Sequence, residues 1–194
     1  MIIKSYEIKK NLKNNINIFL FYGQNNGLIE DTINKDLKPI FSNNIYNYDE
    51  TEILLDEGIF EENLLNKSFF ESDKLIIINH VSEKILPLIK KISEVNVEDV
   101  KIILKSGNLE KKSKLRNFFE KEQKLIISPF YEDTHQSLLL LAQNILTKNK
   151  IKISTQNINF IVEKSKGIRI NLKNELQKII IYGKKKRTIE FEDL

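Results

Sequence analysis

Residues 18–31 read IFLFYGQNNGLIED, and this stretch decides the fold class. Ile18–Tyr22 is a short apolar and aromatic run, with the length and composition of a strand buried on both faces. Gly23 and Gly27 bound a polar turn, and Leu28–Leu37 continues with helical period. Strand, tight turn and helix in this order open a crossover unit. Four more runs of the same kind follow at Ile45–Tyr48, Leu75–Asn79, Val100–Leu104 and Leu125–Ser128. Between them Ile85, Leu88, Ile89 and Ile92 repeat at helical spacing, and Leu109–Glu122 carries Leu115, Phe118 and Phe119. This alternation predicts an α/β fold with a mainly parallel, doubly wound sheet flanked by helices.

The turn after the first strand is where such a sheet would cradle a phosphate. A working phosphate loop needs a Lys to reach the β- and γ-phosphates and a Ser or Thr hydroxyl for Mg²⁺. Gly23 and Gly27 stand at suitable places, but no Lys-Ser/Thr pair follows. Glu30 and Asp31 put negative charge close to the helix start, which suits the helix dipole and repels a phosphate. The third strand ends in Asn79-His80, where an acid would be needed to hold Mg²⁺ and position water. The expectation is a degenerate nucleotide site at Gly23, Gly27 and Asn79, without cofactor, tight ATP binding or ATP hydrolysis. His80 is a lone His at a strand end, with no Ser or acid partner evident from the sequence. The neighbouring acids Asp56-Glu57 and Glu61-Glu62 fall on a polar helical stretch and cannot both face one cleft. No catalytic residue is assigned.

After Pro129 the pattern changes. Asp133–Lys148 reads as a helix capped by Asp133 or Thr134, with Leu138, Leu141, Ala142 and Ile145 on one face. Thr155–Lys166 is a second helix, closed by Gly167, and Asn171–Tyr182 a third. Three helices without strands predict a separate small helical domain from about residue 133. The closing TIEFEDL reads as a short extended piece and the first turn of another helix, as if more protein followed.

Composition narrows the function. The chain has 194 residues, a formal net charge of +4 and no cysteine. That excludes a disulfide framework, Cys-ligated zinc, a thiol nucleophile and a Cys-bound iron–sulfur cluster. With His80 and His135 as the only histidines, no metal site is expected. No apolar run approaches the ~20 residues of a membrane span, and the opening MIIKSYEIKK lacks a signal-peptide core, so the expected compartment is the cytoplasm. There are 28 Lys against 3 Arg, with 32 Ile and 22 Asn, the mark of an AT-rich genome, which weakens any inference from Lys content to nucleic-acid binding. Placement says more than content. Asp49 to Asp73 holds nine acidic residues and one Lys, whereas Lys164 to Arg187 holds nine basic residues and one acid. The basic stretch is either a solvated helix face or a surface for phosphates or an acidic partner.

Four segments together resemble the delta subunit of bacterial DNA polymerase III, the clamp-opening subunit of the clamp loader. They are LFYGQNNGLIED, NLLNKSFFESDKLIIINH, ILKSGNLEKKSKLRNFFEK and KGIRINLKNELQKIIIYG, the last similar to the family's Gly…Leu…Glu-Leu-x-Lys signature. The resemblance implies a RecA-like AAA+ type sheet domain over residues 1–132 and a small all-helical lid over 133–194, with the C-terminal collar absent. It implies a hydrophobic wedge for the β sliding clamp at Ser68, Phe69 and Phe70, preceded by Leu64 and Leu65. Phe stands at the first apolar wedge position, and Leu65 where some relatives carry Gln. Adjacent aromatics on a regular helix cannot both face one core, which favours an exposed ring; equally, Phe69 and Phe70 can belong to the core beside the third strand. The other implied partners are the remaining clamp-loader subunits, reached through the collar, and DNA in the assembled complex. Lys184, Lys185, Lys186 and Arg187 are the candidate DNA or partner contact. The chain would then have no catalysis of its own, although as a holoenzyme subunit it counts with the DNA-directed DNA polymerases, which are nucleotidyltransferases. Two rival readings are a basic nucleic-acid-binding module on a degenerate P-loop fold and a degenerate nucleotide kinase. The kinase lacks a phosphate-binding Lys or Arg after the first strand.

Overall fold

The computed structural model describes residues 1–12, 16–41, 44–65, 74–95, 100–184, 186 and 188–193. The chain divides into two compact units, Met1–Phe130 and Tyr131–Leu194. In the first, five strands form one sheet: β1 (Ile18–Tyr22), β2 (Ile45–Asp49), β3 (Lys74–Asn79), β4 (Val100–Ser106) and β5 (Leu125–Pro129). Their spatial order is β2-β3-β4-β1-β5, and every neighbouring pair is parallel. The sequence runs mark all five, each extended by a residue or two except β1.

β1 lies inside the sheet, with Leu20 level with Leu104 of β4 on one side and Ile127 of β5 on the other. All five of its residues are buried, as the apolar run requires. Ile18, Leu20 and Tyr22 face one layer, made by α4 (Glu50–Leu55), α5 (Glu57–Leu65), α6 (Leu86–Glu94) and α7 (Lys114–Lys121). Phe19 and Phe21 face the other, where α1 (Ile8–Asn11), α2 (Asn26–Thr32) and α3 (Lys38–Phe41) contribute Ile8, Ile29 and Phe41. The period-2 alternation of a strand thus feeds two cores from one segment. The Leu28–Leu37 helix is not uniform. Residues Ile33–Leu37 form a π-helical stretch between α2 and α3, with Ile33 and Leu37 both buried. The Leu109–Glu122 helix begins only at Lys114, where the Ser113 hydroxyl accepts from the Arg116 N–H.

The second unit contains α8 (His135–Lys148), α9 (Thr155–Lys164) and α10 (Arg169–Gly183). Thr134 caps α8 and Ser154 caps α9, each by accepting an N–H two residues into the helix. Gly167, with φ 76°, turns the chain after α9. Two expectations are corrected here. α9 stops at Lys164 and α10 starts at Arg169. The unit is also not free of strands: β6 (Lys152–Ile153) pairs in parallel with β7 (Thr188–Ile189). Two-residue strands are too short to show a period, so only the fold reveals them. Ile189 seals one end of the core formed by Leu138, Leu146, Ile158, Leu172 and Leu176.

Two substitutions separate conformation from polarity in the first unit. Gly23 has φ 134°, and a Cβ there would lie 2.2 Å from the Phe130 carbonyl oxygen. Gly23→Ala is expected to lower stability by at least about 2 kcal/mol. The Ser128 hydroxyl is fully buried in β5 without a hydrogen-bond partner among the described residues, so Ser128→Ala is expected to be neutral or to stabilise by about 1 kcal/mol. Urea denaturation of both variants checks the pair.

Candidate functional site

The loop after β1 sits at the carboxyl edge of the sheet, where ligands of open parallel sheets bind. Here four of its amides are already engaged. The Gly23 N–H donates to the Gly107 carbonyl at 3.1 Å, and the Asn25 N–H to the Phe130 carbonyl at 3.3 Å. The Asn26 N–H donates to the Gln24 carbonyl at 3.0 Å. The Leu28 N–H donates to the Asn25 side chain, which caps α2. A phosphate-cradling loop offers such groups to its ligand; this one directs those of Gly23 and Asn25 to the chain emerging from β4 and β5, and those of Asn26 and Leu28 back to the loop itself. Gly23 therefore serves the close approach to Phe130, and Gly27 is buried within α2.

Beside the loop, Lys105 of β4 makes two charge-assisted bonds. Its ammonium donates to the Glu30 carboxylate on α2 and, at 2.8 Å, to Oδ1 of Asn79 at the end of β3. Asn79 in turn donates to the Tyr48 carbonyl of β2 at 3.1 Å. So Glu30 stands a full turn into α2, away from the helix start, and occupies the cation of this edge. Asp31 is buried on the same helix. A phosphate entering here meets occupied amides, a carboxylate and a neutralised lysine. Asn79 joins the predicted edge through Lys105, which sequence reasoning missed because a lone Lys in a Lys-rich chain carries no signal.

His80 does have an acid partner, contrary to the sequence reading. Its Nδ1 lies 2.6 Å from Oδ2 of Asp49, across the ends of β3 and β2. The bond to His80 holds the Asp49 carboxyl below the usual carboxylate range, and the same residue caps α4. Next to it, buried Glu50 accepts from the N–H and the hydroxyl of Ser82, both at 2.7 Å. His80 has φ 54°, a left-handed conformation, and its side chain is mostly exposed. The pair braces the start of α4, where the Thr51 hydroxyl also donates to Asp49 at 3.2 Å.

The remaining candidates fall elsewhere. Leu64 is buried in the first core, and Leu65 ends α5. Ser68, Phe69 and Phe70 lie outside the described residues, as do Lys185 and Arg187. Lys184 is exposed at the end of α10, and Lys186 donates to Asp193 at 2.8 Å. The basic stretch is less of a free charged face than its composition implied. Arg169 is partly buried and makes two bonds to Asp133, at 2.6 and 2.7 Å, and Lys178 pairs with Glu175 at 2.6 Å. No group of three or more His, Cys, Asp or Glu suited to a metal occurs among the described residues. No described helix is long and apolar enough to cross a membrane.

No family model matches the sequence, and no curated protein matches it. Solved structures do match. The Bacillus subtilis DNA clamp loader delta protein (YqeN) aligns over 97% of this chain and 60% of its own, with TM-score 0.58 and 16% identity. Domain III of the Thermotoga maritima replication initiation protein DnaA aligns over 97% of this chain and 85% of that domain, with TM-score 0.59 and 14% identity. The Thermotoga maritima RuvB Holliday junction branch migration motor gives 0.60 and 14%, over 97% of this chain and 62% of its own. The chain thus spans about three fifths of the delta and RuvB chains. The shared fold is the RecA-like AAA+ type, a parallel sheet between helices followed by a helical part.

If Glu30 holds Lys105 in place, Glu30→Ala leaves a half-buried ammonium with Asn79 alone. The expected loss is about 1 kcal/mol in urea denaturation, and Glu30→Gln is expected to recover part of it.

Proposed function

We propose that this chain acts in DNA replication as a delta-like subunit of a clamp loader, gripping and opening a β sliding clamp without hydrolysing ATP itself. The observation that carries the reading is the filled edge of the sheet: the Gly23 and Asn25 amides are bonded to Gly107 and Phe130, and Glu30 pairs with Lys105. An AAA+ type fold that keeps the sheet while closing its phosphate loop is suited to binding work rather than chemistry. The sequence resemblance to the delta family and the fold shared with a clamp loader delta protein support the same reading.

In this reading the apolar wedge is Ser68, Phe69 and Phe70, next to Leu65 at the end of α5. Two Phe side chains, at ~1.5–3 kcal/mol each on burial, are enough to anchor an interface. Opening the ring requires higher affinity for the open than for the closed clamp, since equal affinity shifts nothing. ATP-binding partner subunits would expose or mask the wedge, and Lys184, Lys185, Lys186 and Arg187 would approach DNA or a partner in the assembled loader. Its place of action is the cytoplasm.

Two measurements test this. Against an immobilised bacterial β sliding clamp, the Phe69→Ala/Phe70→Ala double variant is expected to bind at least tenfold more weakly than the parent chain. Unchanged affinity in a folded double variant removes the wedge. Calorimetric titration with MgATP is expected to show no binding in the micromolar range; saturation there ends the reading of a closed nucleotide site.

A further inference from the structure

One end of the second unit gathers lysines from two segments far apart in sequence. α8 ends at Lys148, and the chain turns at once. The Asn149 N–H donates to the Ile145 carbonyl at 3.2 Å, the Lys150 N–H to that of Thr147 at 3.0 Å and the Ile151 N–H to that of Leu146 at 3.0 Å. Lys150 holds this turn with φ 59°, a left-handed conformation more often left to glycine or asparagine. Ile151 then packs on the end of α10, so closely that a Cβ on Gly183 would lie 2.5 Å from its Cδ1. Lys152 opens β6, level with Thr188 of β7. The segment leaving α8 is thereby set beside the segment leaving α10, which starts with Lys184.

Lys148, Lys150, Lys152 and Lys184 are all exposed, and none has a carboxylate partner among the described residues. Arg169, Lys178 and Lys186, by contrast, are each paired with an acid. Residues 147–153 and 183–189 contain no acid at all. Lys148 and Lys184 suit the negative ends of the helices on which they stand, but four ammoniums exceed what two such ends, at roughly half a charge each, call for. Ile151, Gly183 and Ile189 are buried, so these segments present point charges without the apolar anchors on which protein interfaces are built. Lysine is depleted from protein interfaces, whereas phosphate backbones are held by it. We propose that this patch binds the phosphodiester backbone of a nucleic acid without reading its sequence. The site is independent of the clamp-gripping reading and shares only Lys184 with it.

The test is fluorescence anisotropy of labelled mixed-sequence DNA with the whole chain over a salt series. The expected result is saturable binding at low salt, equal for two unrelated sequences, with a log–log salt slope of about −3. Lys150→Gly removes a charge where glycine suits the backbone. It is expected to weaken binding about threefold and to make the slope shallower by about one. The Lys148→Gln/Lys150→Gly/Lys152→Gln/Lys184→Gln variant is expected to bind at least roughly thirtyfold more weakly, and circular dichroism verifies its fold. Lys9→Gln/Lys10→Gln, exposed on α1, and Ile181→Ala, exposed a turn before Lys184, are expected to bind as the parent does. Absence of binding at low salt overturns the proposal, as does parental affinity in the folded fourfold variant. A larger loss from Ile181→Ala than from Lys150→Gly also overturns it, because the patch is then a protein surface. So does binding to phosphatidylglycerol vesicles that the fourfold variant loses while its affinity for DNA is unchanged.

Discussion

The first unit depends on how closely the turn after β1 can approach the chain leaving β5. β1 is buried on both faces, so its exit has to be peptide packed on peptide. Gly23 makes this possible: its φ of 134° and missing Cβ let the turn lie against the Phe130 backbone. The amides thereby released bond to the carbonyls of Gly107 and Phe130. The same contact that joins three strand ends, in the proposed reading, also closes the place where a phosphate would be held. Structure and the proposed lack of nucleotide chemistry thus share one cause.

Around that turn, the carboxyl edge of the sheet is laced by polar bonds between separate elements. Lys105 joins β4 to α2 and β3, Asp49 joins β2 to His80 beyond β3, and Glu50 holds Ser82. The first two tie strand ends to neighbouring elements and the third ties α4 to the segment after β3, at the edge where parallel sheets bind ligands. Internal pairs in place of a ligand suit the proposed task of gripping a partner rather than a nucleotide.

The second unit shows why charge counts mislead. Nine basic residues in 24 positions read as an electropositive face. In the fold, Arg169 turns inward to Asp133 at 10% exposure, and Lys178 and Lys186 bind carboxylates. Aromatic contacts join the same elements: Phe191 packs on Phe160 of α9, and Tyr182 of α10 donates to Asp193.

Much of this was readable along the chain because its causes are local. Apolar runs of four or five residues mark β1 to β5, Thr134 marks a helix start, and the absence of a Lys-Ser/Thr pair after Gly27 speaks against a phosphate site by composition alone. Strand length, caps and motif chemistry are all decided within a few residues. The sites were decided by partners far apart in sequence: Glu30 and Lys105 are 75 residues apart, Asp49 and His80 31, and Asp133 and Arg169 36. The same holds for β6 with β7 and for Phe160 with Phe191. A side chain's own sequence neighbourhood sets its chemistry, but only the packing of distant elements sets which charge it meets and whether that charge remains free to act.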